Sequence, residues 1–297
     1  MRTRIIKALA VGILIWLVSA SYAHYMSHSR TYTSYWSSNE GFLSSVWEKV
    51  SSGKLNIKAK AAIVVDAATG EVIYSKNADR RLPIASLTKL ATVLVFMDRQ
   101  PDLDGNVLIV KSDFPPVGGS KLYIGETITV HDCLHLCLMC SDNVSAVALA
   151  RSTGLSQPEF VRLMNEKASQ LGMDDTHFTD PTGLDAGNVS TARDYIKLIQ
   201  AVYAHETISK ISQKKSYQFS ALNRNIRHTL YNTNRLLYSQ WNVKGGKTGY
   251  ISQSGYCLAL DVSSDSGRRL DAVLLGAPSN HYRYKDASRL LAYAEKN

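Results

Sequence analysis

Ser86-Leu87-Thr88-Lys89 sets a hydroxyl and an amine three residues apart. On a helix that spacing is about one turn along one face, so the amine reaches the hydroxyl. In a first helical turn the unpaired backbone N–H groups and the positive end of the dipole favour a developing oxyanion. A lysine desolvated there, or set beside another cation, has a lowered pKa and takes the serine proton. The chemistry is that of an activated serine attacking a carbonyl. The same residues also fit a helix cap followed by a surface lysine.

Two more groups carry suitable side chains. Ser141-Asp142-Asn143 falls between two apolar helical stretches. On a turn facing a cleft, the hydroxyl relays a proton and the amide holds a substrate carbonyl; an N-cap explains the same residues. Gly246-Lys247-Thr248-Gly249-Tyr250 reads as a strand. Its glycines admit a substrate backbone closely, and Lys247 offers a fixed positive charge for a carboxylate. A phosphate-binding loop is excluded, because G-x-x-x-x-G-K-[ST] needs glycine at position 241, which is Trp241.

The elements that must hold these groups follow from pattern. Ala61–Ala67, a turn at Thr69-Gly70 and Val72–Tyr74 make a hairpin. A helix runs from Ser86 to Met97, after the loop opened by Pro83. Thr129-Val130-His131-Asp132 has the layout of a capping box, starting a helix that reaches Met139. Further helices are expected over Val144–Arg151, Pro158–Leu171, Thr191–His205 and Lys285–Glu295. Gly246–Tyr250, Gly255–Val262 and Leu270–Gly276 read as strands. Strands at both ends with helices between them predict an α/β domain whose sheet joins its two ends.

The bulk numbers agree with such a domain. The chain has 297 residues, 45% apolar and 20% charged, the texture of a globular protein able to bury its own core. Its net charge is +9, of which Arg2, Arg4 and Lys7 supply three; the remaining 31 basic and 25 acidic residues leave +6. That surplus suits a cell wall or lipid headgroups, and a solvated basic surface accounts for it equally. No base-stacking motif or recognition helix points to nucleic acid.

After that basic start come an apolar run, Ala8 to Val18, and small residues around Ala20 and Ala23. This is the layout of a secretory signal, short of the roughly 20 apolar residues of a comfortable membrane span. Residues 1–23 are therefore expected to be a signal peptide or N-terminal anchor. Residues 24–58 form a Ser- and Tyr-rich tether, with a short amphipathic helix over Phe42–Val50, and 59–297 the catalytic domain. The expectation is an exported protein, in the periplasm or on the outer face of the cytoplasmic membrane, with membrane contact through the N-terminal segment.

Each motif is weak alone; the ordered set is specific. The chain resembles the penicillin-binding proteins and serine β-lactamases, whose active-site motifs are Ser-x-x-Lys, Ser-x-Asn and Lys-Thr-Gly. Pro83-Ile84-Ala85-Ser86, Asp180-Pro181-Thr182-Gly183-Leu184 and Asn188-Val189-Ser190-Thr191-Ala192 extend the likeness to the low-molecular-mass D,D-peptidases, over residues 59–297. The resemblance implies an antiparallel sheet flanked by helices, with a helical subdomain. It implies Ser86 as nucleophile, Lys89 as base, Ser141 as relay and Asn143 as substrate contact. Lys247, Thr248, Gly249 and Tyr250 would bind substrate, the N–H groups of Ser86 and Tyr250 forming the oxyanion hole. The substrates implied are peptidoglycan stem peptides, with β-lactams as inhibitors and no cofactor or metal.

Asp142 departs from the Gly that the carboxypeptidases usually carry. With Asn232-Thr233-Asn234 and Trp241-Asn242, it looks more like the small endopeptidase-type members. The extra β-rich domain and C-terminal membrane helix of the larger carboxypeptidases have no counterpart in the pattern. Cleavage of D-alanyl cross-links is thus preferred over removal of terminal D-Ala. A β-lactamase is a further alternative, weakened because Glu159 lacks the E-x-x-L-N context. A wall-binding module without turnover is another. Cys133, Cys137 and Cys140, with His131 and His135, have ligand-like spacing, but on a helix they form a core-facing stripe. Cys257 could join a disulfide.

Overall fold

Ala61–Asp66 (β1) is six small or β-branched residues ending in one acid, and all six are buried. A strand covered on both faces needs no polar alternation. The Asp66 carboxylate turns the chain by accepting the backbone N–H groups of Ala68 and Thr69 at 2.8 and 3.0 Å, and Val72–Lys76 (β2) returns beside β1. The structure is a computed structural model that describes residues 55–264 and 266–297. The signal or anchor segment, the helix foreseen over Phe42–Val50 and the tether as far as residue 54 lie outside the described residues.

Leu82–Pro83 (β3) leads into a 3₁₀ turn, Ala85–Thr88, and then Lys89–Met97 (α1). Asn106–Leu108 (β4) and Thr127–Thr129 (β5) pair on either side of a long loop. Val130–Met139 (α2), Asn143–Ser152 (α3) and Gln157–Gln170 (α4) follow. Val189–Ser190 (β6) pairs with β3 and precedes Ala192–Tyr203 (α5) and Glu206–Ser212 (α6). Ser216–Ser220 (β7) and Arg227–Tyr231 (β8) form a hairpin. Asn242–Ile251 (β9), Gly255–Ser263 (β10), Arg269–Ala277 (β11) and Asn280–Lys296 (α7) complete the chain.

The main sheet is antiparallel, in the order β2-β1-β11-β10-β9. Alternate residues divide its two faces. Ala62 and Val64, Leu258 and Leu260, and Leu270, Ala272 and Leu274 join Ala287, Leu290, Leu291 and Ala294 of α7 in one core. On the opposite face α5 packs against β1, β10 and β11. Ile57, read as part of the tether, belongs to the α7 core, and the Asp286 carboxylate accepts the N–H groups of Lys58 and Ala59 at 2.7 and 2.8 Å.

The caps explain where helices begin. Thr129 and Asp132 exchange side-chain and backbone bonds as a capping box should. Asp142, between the two residues expected to cap there, is the cap of α3: its Oδ1 accepts from Ser145 N at 2.8 Å. The helix expected to run to His205 stops at Tyr203 and restarts as α6. The β7–β8 hairpin was not foreseen; Phe219, His228 and Leu230 are its inward residues among polar neighbours, a thin alternation.

Candidate active site

The three motifs converge at one end of β9. Helix α1 is buried along its whole length, which carries Lys89 into the interior. The turn before it is strained: Ala85 has φ +50°, a left-handed conformation that a non-glycine residue seldom holds. Three contacts fix this turn. Thr88 Oγ1 donates to Ala85 O at 2.8 Å, the Tyr195 hydroxyl donates to Leu87 O, and Gly183 lies so close that a Cβ there would stand 2.0 Å from Ala85 O. The Asp180-Pro181-Thr182-Gly183-Leu184 stretch is thus a brace for the Ser86 turn. Asp180 folds that brace by accepting N–H groups of Gly183 and Asp185 at 2.8 and 2.9 Å.

Ser86 is partly exposed and Lys89 fully buried. Lys89 Nζ lies 3.0 Å from Ser86 Oγ, 2.7 Å from Asn143 Oδ1 and 2.6 Å from Thr182 O. The amide and peptide oxygens only accept. A neutral amine therefore spends its two N–H bonds on them and turns its lone pair to the Ser86 hydroxyl. Burial lowers Lys89 to about 8, with the carboxylates of Asp142 and Asp180 pulling the other way. The group is poised to accept a proton near neutral pH.

Ser141 is the second strained residue, with φ +59°, and its Oγ accepts from Lys247 Nζ at 2.7 Å. Lys247 also donates to Thr248 O at 2.8 Å. Its charge is less fixed than the sequence suggests. Burial, then the charges of Lys89 and Arg283, hold Lys247 well below the ordinary lysine range. An arriving carboxylate would restore its proton.

The glycines of β9 have a different use from the one expected. A Cβ on Gly249 would stand 2.9 Å from Ile84 O and 3.1 Å from Ser86 N. Gly246 faces Asn234 and Leu260, and Gly245 lies against the Tyr203 ring. They admit protein neighbours, and Gly249 brings the strand against the turn that carries Ser86. Tyr250, just beyond, is exposed and its ring lies tilted against that of Tyr256, centroids 4.3 Å apart.

Two residues reach the site that sequence reasoning did not assign. Thr233 Oγ1 shares a 2.7 Å hydrogen bond with Thr248 Oγ1. Arg283, buried on α7, donates to Gly249 O at 3.1 Å and Cys257 O at 3.3 Å and lies over the Tyr256 and Tyr284 rings. Thr233 lies in the Asn232–Asn234 signal already noted; Arg283 had no local signal.

The ligand-like spacing on α2 belongs to packing. Cys133 and Cys137 are buried, and all four cysteines are free. The His135 ring donates through Nδ1 to His131 O, accepts from Lys214 at Nε2 and stacks on Tyr217 at 3.7 Å. Among the described residues no group of three or more His, Cys, Asp or Glu could hold a metal ion. Glu159, the acid weighed for a β-lactamase, accepts from Ser156 N at 2.9 Å as the capping box of α4.

An antiparallel sheet flanked by helices, with a serine and a buried lysine at the head of its central helix, defines a serine acyl-transfer enzyme of the D,D-peptidase fold. The D-alanyl-D-alanine carboxypeptidase family model matches residues 48–279, and the chain belongs to that family. The chain is 35% identical over 238 residues to a D-alanyl-D-alanine endopeptidase of Pseudomonas aeruginosa, covering 79% of this chain and 76% of that one. It is similarly 35% identical to an Escherichia coli D-alanyl-D-alanine endopeptidase, covering 80% and 78%. A Bacillus subtilis D-alanyl-D-alanine carboxypeptidase is 33% identical, covering 80% and 62%. The crystal structure of the Streptomyces K15 DD-transpeptidase superposes with a TM-score of 0.78 at 27% identity, covering 83% and 100%. The protein is a serine D,D-peptidase of the penicillin-binding class.

Proposed function

We propose that Ser86 attacks a D-alanyl carbonyl of peptidoglycan and that the acyl-enzyme is released by water, with cross-links as the preferred substrate. The observation that carries this reading is the Lys89 amine, whose two acceptor-only partners leave its lone pair for the Ser86 proton. Attack forms the bond from Oγ to the carbonyl carbon, and the Ser86 proton passes to Lys89. The N–H groups of Ser86 and Tyr250 receive the oxyanion. The bond from the carbonyl carbon to nitrogen then breaks, and the proton held by Lys89 reaches the departing amine, with Ser141, hydrogen-bonded to Lys247, as the relay. Asn143 contacts the substrate amide, while Lys247 and Thr248 hold its carboxylate beside Gly249 and Tyr250. Water then gives a proton to Lys89 as its oxygen bonds to the acyl carbon, and the bond to Oγ breaks as Lys89 returns that proton to Ser86.

The endopeptidase preference draws on the Pseudomonas and Escherichia relatives and on Asp142 and Thr233. The carboxypeptidase reading is favoured by the family description and by the Bacillus relative. The expected setting is the outer side of the cytoplasmic membrane, the N-terminal segment touching that membrane, with peptidoglycan stem peptides as substrate and β-lactams as acylating inhibitors. The test is product separation after incubation with a cross-linked muropeptide dimer and a pentapeptide monomer, Ser86→Ala serving as control. Conversion of dimer to monomers is the expected result. Free D-Ala from the pentapeptide alone would replace the endopeptidase by the carboxypeptidase.

A further inference from the structure

We propose that Asp142 is a positioning residue whose carboxylate straps the loop 114–125 to the cleft wall and thereby fixes the Asn143 amide against Lys89. This rests on the reading of Ser86 and Lys89 as nucleophile and base.

The geometry gives each oxygen of Asp142 its own task. The residue is 5% exposed. Oδ1 caps α3 through Ser145 N at 2.8 Å. Oδ2 crosses to the loop, accepting Ser120 Oγ at 2.7 Å and Lys121 N at 3.2 Å. Ser120 in turn accepts from Leu122 N at 3.0 Å, so the bond reaches the buried Leu122. Residues 116–119 are otherwise exposed, Val117 at 63%.

The loop's apex touches the site. Gly118 has φ +95°, and a Cβ on it would stand 2.5 Å from Asn143 Nδ2. The Asn143 oxygen already accepts from Lys89 at 2.7 Å. The amide is therefore hydrogen-bonded to the base through its oxygen and backed by the Gly118 backbone on its nitrogen side. Releasing the loop frees the amide to rotate, and the base loses the acceptor that aims its lone pair. Misplacement of a catalytic group by about 1 Å is enough to cost up to about a hundredfold in rate.

Charge supplies a second readout. The groups acting on Lys89 are the Cys137 thiol and the carboxylates of Asp142 and Asp180, and Lys89 in turn bears on Lys247. Asp142 faces the thiols of Cys133, Cys137 and Cys140 as well. Removing its charge takes away one of two carboxylates that favour protonated Lys89, so the base deprotonates at lower pH.

The experiment measures acylation of the full chain by a fluorescent penicillin across pH, for Asp142→Asn, Ser120→Ala and the double variant. Asparagine still caps α3 through its oxygen, while its nitrogen accepts from neither Ser120 nor Lys121, so Asp142→Asn weakens the strap and removes the charge, and Ser120→Ala weakens the strap alone. We expect each single variant to acylate about tenfold more slowly, and the double variant to be no slower than the worse single, because both cut one connection. The rising limb should move to lower pH in Asp142→Asn and stay in place in Ser120→Ala, with thermal midpoints near that of the parent. Parental rates in both singles, multiplied losses in the double, or losses that track a fallen thermal midpoint would overturn the strap. Labelling of Ser86→Ala would instead overturn the nucleophile on which it rests.

Discussion

Lys89 and Lys247 lie buried at the head of the cleft, and Asp261 and Asp271 lie buried on neighbouring strands beneath α5. Both are like-charge pairs, and burial shifts a member of each toward its neutral form: Lys89 to about 8 and Asp271 up to about 7. Their surroundings differ. Lys89 has three oxygen partners and Lys247 two, and beside them Ser86 is partly open to solvent. Asp261 is held by Arg269 at 3.0 and 2.6 Å, whereas Asp271 has Gln200 on one oxygen and, among the described residues, no partner on the other. Each aspartate is 1% exposed. A shifted titration marks a working site only where a reactive neighbour and a way in for ligand accompany it. The lysines have both, together with the strained backbones of Ala85 and Ser141.

Substitutions can separate the two pairs. Ser86→Ala should abolish covalent labelling by penicillin, read by gel fluorescence. Lys89→Met should slow acylation by about 10²–10⁴-fold while leaving the thermal midpoint unchanged or higher, because a buried charge is replaced by an apolar chain. In the parent enzyme acylation should climb as pH rises through about 8, where Lys89 loses its proton. Lys247→Ala should raise KM for carboxylate-bearing substrates by about tenfold or more, with a smaller effect on kcat, measured by steady-state hydrolysis.

The aspartates should answer in stability alone. The Asp271 carboxyl is pushed up first by burial and then by the charge of Asp261. A carboxyl with a raised folded-state pKa favours the fold while protonated. Its contribution is complete below about pH 4, the usual unfolded value, and is lost as pH climbs through about 7. Asp271→Asn should therefore gain on the order of 1 kcal/mol over the parent at pH 8, a gain that shrinks toward pH 4, with acylation rates unchanged. Denaturant melts at the two pH values check this. Equal loss of activity in Asp271→Asn would erase the distinction between the pairs.

How much could be read beforehand follows the same division. Ser86, Lys89, Ser141, Asn143 and Lys247 belong to short motifs, and the elements that carry them announce themselves through apolar runs and caps. β1 was legible because both its faces are buried, and α2 because Thr129 and Asp132 form its box. Arg283 was not legible, since its contacts with Gly249 and Cys257 join residues far apart in the chain. The Asp180–Leu184 brace was visible only as a resemblance; its reason, the closeness of Gly183 to Ala85 O, is tertiary. The pairs β3–β6 and β4–β5 are two or three residues long, too short for any periodicity.

The order of strands in the main sheet has a consequence for how the protein is made. β1 pairs with β11, and Ala61 stands opposite Leu275. Of the five strands of this sheet, the one that joins the hairpin β1–β2 to the pair β9–β10 is therefore made last. Until Arg269–Ala277 is available, β1 and β10 are two unpaired edges, and Val64 and Leu260 have no shared core to enter. Such long-range pairing closes slowly. A growing chain, or one cut short before β11, cannot complete this sheet, and its exposed edges are the surface that chaperones and proteases would meet.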